Sequence, residues 1–262
     1  MPLDKSAYLS GVWKDGLFKD KVVFCTGGNG SICSAQVRAL VHLGADACIV
    51  GRSVEKTETV ANDIATARLR SKVLGIGAVD VRRVESLQLA VDRCIKELGV
   101  IDFLIAGAAG NFLSPLHNLS TNAFKSVIDI DVLGSFNVTK LCLPHFIESA
   151  KRHPFPSRSP SGRIIYISAT IHYTGVPMPT HVAVAKAGVD SLSANVALEY
   201  GPLGLTSNVI SPGPIGDTEG MSRLSKEATP GVNPWKCVPS GRPGSIKDIA
   251  DATVYLFSDA AN

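Results

Sequence analysis

The residues that could do chemistry begin at Gly27-Gly28-Asn29-Gly30-Ser31-Ile32, directly after the apolar run Val22-Val23-Phe24-Cys25-Thr26. Glycines let a backbone pass close to a bulky anion, and the open N–H groups at a helix start supply donors and the positive end of a dipole. A helix follows in the pattern, because Ile32, Ala35, Ala39, Leu40 and Leu43 share one face at helical spacing and Gly44 is placed to end it. Strand, turn and helix together read as a phosphate-binding turn. A second apolar run, Ala47-Cys48-Ile49-Val50-Gly51, ends at Arg52. An acid at that place binds a ribose hydroxyl, whereas an arginine suits the additional phosphate of NADP. The alternative is a glycine-rich surface turn with an incidental arginine, and the order strand, turn, helix, strand, arginine weighs against it.

The elements that must position this turn continue in alternation. Val73 to Asp80 reads as a third buried strand, Val84 to Leu98 as a helix ended by Gly99, and Asp102 to Gly107 as a fourth strand. One long helix is predicted from Thr121 to about Ile147, then a strand at Arg163–Ser168, a helix at Ala183–Tyr200, a strand at Thr206–Ser211 and a last helix at Ile246–Phe257. Strand-then-helix alternation implies an α/β fold, a doubly wound parallel sheet of Rossmann type with helices on both faces and ligands at the carboxyl ends of the strands. Residues 1–20 read as an arm packed on the edge of a single domain spanning 21–262. Prolines and glycines break the pattern from Pro212 to Gly244, as in a lid, and the proline- and serine-rich stretch at 153–161 reads as a surface insertion.

Composition limits the function classes. The chain has 262 residues, 45% hydrophobic and 19% charged, with a net charge of +3. So small a charge, with no basic run, does not point to nucleic acid, and no apolar stretch approaches the roughly 20 residues of a membrane span. The six cysteines form no CxxC pair and the six histidines no metal-spaced pair, so buried free thiols and no metal are expected.

These residues resemble the short-chain dehydrogenase/reductase family over nearly the whole chain. The landmarks occur in order: the glycine turn, Asp80, Ala108-Ala109-Gly110, Lys186, Pro212-Gly213 and Arg242-Pro243-Gly244. Ala108-Ala109-Gly110-Asn111-Phe112, Asp129-Ile130-Asp131, His181 to Lys186 and Pro212-Gly213-Pro214-Ile215 with Thr218-Glu219-Gly220 look like the peroxisomal-type 2,4-dienoyl-CoA reductases, the fungal form in particular. The resemblance implies NADPH-dependent reduction of 2,4-dienoyl-CoA thioesters to 3-enoyl-CoA in the β-oxidation of unsaturated fatty acids. It implies a cofactor site of Gly27 to Ile32, Arg52, Asp80, Val81, Lys186, Pro212 to Ile215 and Thr218. An acyl-CoA is expected across Arg82, Phe112, Ser120, Thr121, Asn122 and Arg223. A homodimer or homotetramer through the long helices, and a peroxisomal location, are also implied. The chain ends Asp259-Ala260-Ala261-Asn262, with no Ser-Lys-Leu-type tripeptide and no seventh strand, so a missing C-terminal tail is expected.

The sequence departs from the family pattern where it matters most. The later two glycines of the turn fall at Ser31 and Cys33, and the usual Asn-Asn-Ala-Gly reads Ala106-Gly107-Ala108-Ala109. The catalytic tyrosine position, four residues before Lys186, holds Val182, and the catalytic serine position holds Ala169. Neither side chain can pass a proton. The chemistry is therefore expected to fall on Asp131, Lys186 and Asn111: Lys186 supplying positive charge, Asn111 donating to the thioester oxygen, and Asp131 holding a water. Two other readings stay open: a carbonyl reductase using a displaced donor such as Tyr173 or Tyr166, and a non-catalytic NADP-binding sensor or scaffold.

Overall fold

The computed structural model describes residues 4–152, 162–224 and 238–261. Six strands form one parallel sheet: β1 Val22–Thr26, β2 Asp46–Val50, β3 Val73–Ile76, β4 Phe103–Ala106, β5 Gly162–Ile167 and β6 Leu205–Ile210, in the order β3-β2-β1-β4-β5-β6. Every residue of β1 is buried, as a strand covered on both faces requires. The strand order reverses between β1 and β4, where a crevice opens at the carboxyl ends.

One face of the sheet carries α1 Ser31–His42 and α9 Ile246–Phe257, packed around Leu40, Ile49, Ile105 and Val254. The described part of the arm, residues 4–20, joins this face. Tyr8, Leu9 and Phe18 are buried in its core, Trp13 Nε1 donates to Asp251 Oδ1 at 2.8 Å, and Phe18 meets Phe103 edge to face. The other face carries α3 Val84–Leu98, α5 Gly134–Arg152 and α7 Thr180–Tyr200 around Phe24, Leu104, Phe146 and Tyr166. Between β2 and β3 runs α2 Val54–Ala65, started by Ser53, whose hydroxyl accepts from Lys56 N–H. Gly99, at φ 88°, ends α3, and a Ser245/Asp248 capping box starts α9.

The long helix expected from Thr121 is not continuous. It runs as α4 Thr121–Ile128, passes through a π turn at Asp129–Leu133, and resumes as α5. One extra residue in the turn re-aims the side chains that follow, and Asp131 lies inside it. The third strand is shorter than expected, because Gly77 and Ala78 leave the sheet. Two short helices complete the described chain, α6 Ile171–Thr174 and α8 Glu219–Leu224. The expected insertion at 153–161 and the central part of the expected lid, 225–237, lie outside the described residues.

Candidate active site

The glycine turn is built so that side chains cannot replace it. Gly27 has φ +67°, and a β-carbon there would come within 2.9 Å of the Ala108 backbone at the end of β4. The turn closes through Gly30 N–H to Gly27 O, and α1 begins at Ser31 with no side chain capping it. Its first N–H groups therefore face the crevice open to an anion. Asn29 Nδ2 donates to Thr57 Oγ1 at 2.9 Å, tying the turn to α2. Arg52 stands exposed two residues past β2, a cation that could hold a phosphate group. Across the mouth, Glu219 N–H reaches Ser31 Oγ at 3.4 Å, and the Lys56 ammonium pairs with the Glu219 carboxylate. This strap between α2 and α8 had no signal in the sequence.

At the other side of the crevice the structure brings Asp131 and Lys186 together. Asp131 is 1% exposed; its Oδ1 accepts the Gly110 N–H at 2.7 Å, and its Oδ2 lies 3.0 Å from Lys186 Nζ. That contact is an ion pair whose angle falls short of a hydrogen bond. Lys186 Nζ donates instead to Ile167 O at 2.9 Å, at the end of β5. The π turn aims the carboxylate, and the Gly110 bond fixes the stretch that carries Asn111 and Phe112. Asn111 Nδ2 comes within 3.5 Å of where a β-carbon on Gly220 would stand, so α8 lies against the Asn111 side chain.

The neighbouring walls are apolar. Val182 is buried with Val127 and Ala185, and Phe112, Ile128, Val132 and Ile171 pack against them. Ser168, beside Ala169, turns its hydroxyl into α7, donating to Lys186 O at 3.4 Å. Tyr173 does not take the missing tyrosine's place: its hydroxyl donates to Asp190 Oδ2 at 2.7 Å and meets Ser211 Oγ at 3.3 Å. Tyr166 is fully buried against Thr139, and burial pushes its phenol up. The position that carries no donor hydroxyl is instead preceded by His181. It is 0% exposed, with its ring stacked on Phe112 at 4.1 Å between centroids. The sequence pointed to His181 only as part of a resembling stretch.

The remaining expected residues are placed as follows. Asp80 is gripped by Arg82, Nε to Oδ1 at 2.9 Å and Nη2 to Oδ2 at 2.5 Å, and these bonds hold its carboxyl down at about 2. Arg82 is thus committed to Asp80 rather than standing as a free cation for CoA. Val81 is buried, and its carbonyl accepts from Asn137 Nδ2 on α5. Pro212 O accepts the Thr170 N–H, Pro214 O accepts the Gly244 N–H, and Ile215 bridges to Gly244. Thr218 Oγ1 donates to Ile215 O at 3.0 Å and starts α8 by accepting the Met221 N–H. These contacts hold residues 212–218 over the carboxyl end of β6. Ser120 caps α4, with Thr121 and Asn122 exposed in its first turn. Arg223 falls on α8, and its side chain lies outside the described residues.

Residues 21–229 match the short chain dehydrogenase family. The chain belongs to that family. Its members' architecture is seen in levodione reductase, whose crystal structure superposes with a TM-score of 0.83 at 26% identity over 93% of each chain. Among relatives of the short-chain dehydrogenases, the chain is 49% identical over 261 residues to the peroxisomal 2,4-dienoyl-CoA reductase SPS19 of Saccharomyces cerevisiae, (3E)-enoyl-CoA-producing. That match covers 99% of this chain and 85% of the yeast protein. The peroxisomal 2,4-dienoyl-CoA reductase of Danio rerio is 36% identical, over 96% of this chain and 80% of its own. The protein is therefore an oxidoreductase of the short-chain dehydrogenase family.

Proposed function

We propose that this short-chain dehydrogenase is an NADPH-dependent 2,4-dienoyl-CoA reductase, releasing 3-enoyl-CoA in peroxisomal β-oxidation and acting as a homodimer or homotetramer. The observation that carries the reading is the buried Asp131–Lys186 pair beside Val182 and Ala169. Carbonyl reduction needs a proton at the forming alkoxide, where these two side chains offer none. Reduction of a conjugated thioester places charge on the thioester oxygen and takes its proton at carbon, so a cation and an amide donor suffice near that oxygen.

The residues present fit a dinucleotide: a glycine cradle that a β-carbon at Gly27 would fill, an uncapped helix start, and Arg52 for a 2′-phosphate. When bound, NADPH supplies the hydride. Lys186 would bond a ribose hydroxyl of the cofactor and add positive charge near the reacting centre. Asn111 donates to the thioester oxygen while the dienolate charge gathers there. A bare carboxylate next to that charge would repel it, but Asp131 spends its charge on Lys186 and the Gly110 N–H and works through a water that delivers the proton to the α-carbon.

The test is loss of NADPH absorbance with a 2,4-dienoyl-CoA, against a ketone and an aldehyde, with the double-bond position of the product read by NMR. Turnover of the thioester alone, to the 3-enoyl product, is expected. Turnover of the ketone or aldehyde instead, or of nothing, would overturn the reading.

A further inference from the structure

Among the described polar groups of the site, His181 is buried with both ring nitrogens lacking a well-aligned hydrogen bond. Its ring is 0% exposed, and neither Nδ1 nor Nε2 makes a hydrogen bond of good geometry, the Phe112 backbone carbonyl being the acceptor nearest to hand. Burying an imidazole this way costs free energy that packing alone does not require, since a leucine would fill the volume. Burial lowers its pKa below 6.5, against the opposing pull of the Phe112 carbonyl and the Asp131 charge. A ring so placed is a neutral imidazole with one N–H to give.

Its surroundings say where that N–H could be used. Phe112 covers its face at 4.1 Å with the rings tilted 29°, and Phe112 belongs to the same stretch as Asn111 and as Gly110, which holds Asp131. His181 directly precedes Val182, on the first turns of α7, the helix that also carries Lys186. Val182 and Ala169 carry no hydroxyl, and the hydroxyl of Ser168 is turned into α7.

We propose that His181 is a catalytic electrophile: its ring N–H donates to the thioester oxygen of the acyl-CoA as negative charge gathers there, and Phe112 shields the ring until the acyl chain displaces it. The inference rests on the dienoyl-CoA reading above. A neutral imidazole is suited to the task, because it strengthens its hydrogen bond as the oxygen becomes more basic without having placed a full charge there beforehand. Asn111 is the companion donor, so the oxygen receives two bonds, as oxyanion sites in acyl chemistry provide.

The experiment compares His181→Leu with His181→Gln, which keeps an N–H donor, measuring kcat and KM for a 2,4-dienoyl-CoA at saturating NADPH. NADPH binding by fluorescence serves as the control for folding. His181→Leu should lower kcat by about 10²- to 10³-fold, the range for loss of one oxyanion donor, with NADPH affinity kept within about twofold. His181→Gln should recover most of that loss. Near-parental kcat in the leucine variant, or equal losses in both variants with NADPH binding intact, would overturn the inference. An independent measurement uses the unaltered protein labelled with ¹⁵N-histidine. Adding 3-enoyl-CoA and NADP⁺ should shift the His181 ring nitrogens, and unchanged signals would count against the contact. A protein that reduces no dienoyl-CoA refutes the functional reading. One that does, with His181→Leu fully active, refutes this inference alone.

Discussion

A β-carbon on Gly107 would stand 2.3 Å from Cys33 Sγ, so the thiol of α1 occupies the space that a side chain at 107 would need. The two departures from the family pattern, a cysteine where a glycine is usual and a glycine where an asparagine is usual, are thereby one exchange of volume between helix and strand. Gly107→Ala should cost about 1 to 3 kcal/mol by overpacking. In a Cys33→Gly background the same change should cost less, with a coupling of about 0.5 to 3 kcal/mol in a double-mutant cycle of urea unfolding. Additive effects would mean that the two residues do not share the space.

Arg52 is the residue to which we assign the proposed preference for NADPH. Charge-assisted bonds to a 2′-phosphate contribute about 1.5 to 3 kcal/mol, roughly ten- to a hundredfold in affinity. Arg52→Ala should raise the Kd for NADPH by that factor and leave NADH unchanged, as titration of both cofactors would show. Equal affinities in the unaltered protein would remove the basis for the assignment.

Asp80 and Arg82 give a pH signature. Hydrogen bonds from Arg82 hold the Asp80 carboxyl at about 2 against an ordinary 3.8, so the pair favours the folded state above pH 3.8. This contribution is lost as the pH falls from 3.8 to 2 and the carboxylate takes a proton. The pair is partly exposed, so about 0.5 to 1 kcal/mol is expected. Arg82→Ala should be less stable than the parent by that amount at pH 6 and equal to it near pH 2. A gap that persists at pH 2 would place the effect in packing.

The expected CoA path would need cations beyond Arg82, which is already paired with Asp80. Arg82→Ala should therefore raise the KM for the CoA ester less than Arg223→Ala does, by less than about tenfold. If neither substitution changes KM, the path proposed across Phe112 and the start of α4 is wrong.

The parallel sheet was legible because each strand is a short apolar run broken by glycine or followed by helical periodicity, whereas the order of its strands was not spelled out by any local pattern. Backbone chemistry of this kind is local. The Asp131–Lys186 pairing lay half in view: the resemblance named both residues, but the π turn that aims the carboxylate leaves no mark in hydrophobic spacing, since Ile128, Val132 and Phe136 keep a helical repeat across it. His181 was hidden for a similar reason. A histidine one residue from the vacated tyrosine position reads as an ordinary helix residue until its zero exposure and its stacking on Phe112 are known. The Lys56–Glu219 strap joins residues far apart in sequence, and nothing local specifies it.

The proposed proton path uses Asp131 and Lys186, and rate and stability can be separated there. Removing one member of a buried ion pair leaves the other charge unpaired, at a cost of about 3 to 5 kcal/mol. Asp131→Ala and Lys186→Ala would mix that loss with catalysis, so Asp131→Asn and Lys186→Met are better single changes, and their combination removes both charges. The double variant should unfold at a higher denaturant concentration than either single variant, since no uncompensated charge remains. Its kcat should stay low, because a positioned proton relay contributes about 10²- to 10⁴-fold and stability does not restore it. Each single variant should lose at least 100-fold in kcat while still binding NADPH. Tyr173→Phe should keep near-parental rates, since that hydroxyl is engaged with Asp190 and Ser211. The opposite pattern, full activity in Asp131→Asn with an inactive Tyr173→Phe, would mean that the displaced tyrosine delivers the proton and that the buried pair serves only to hold the π turn.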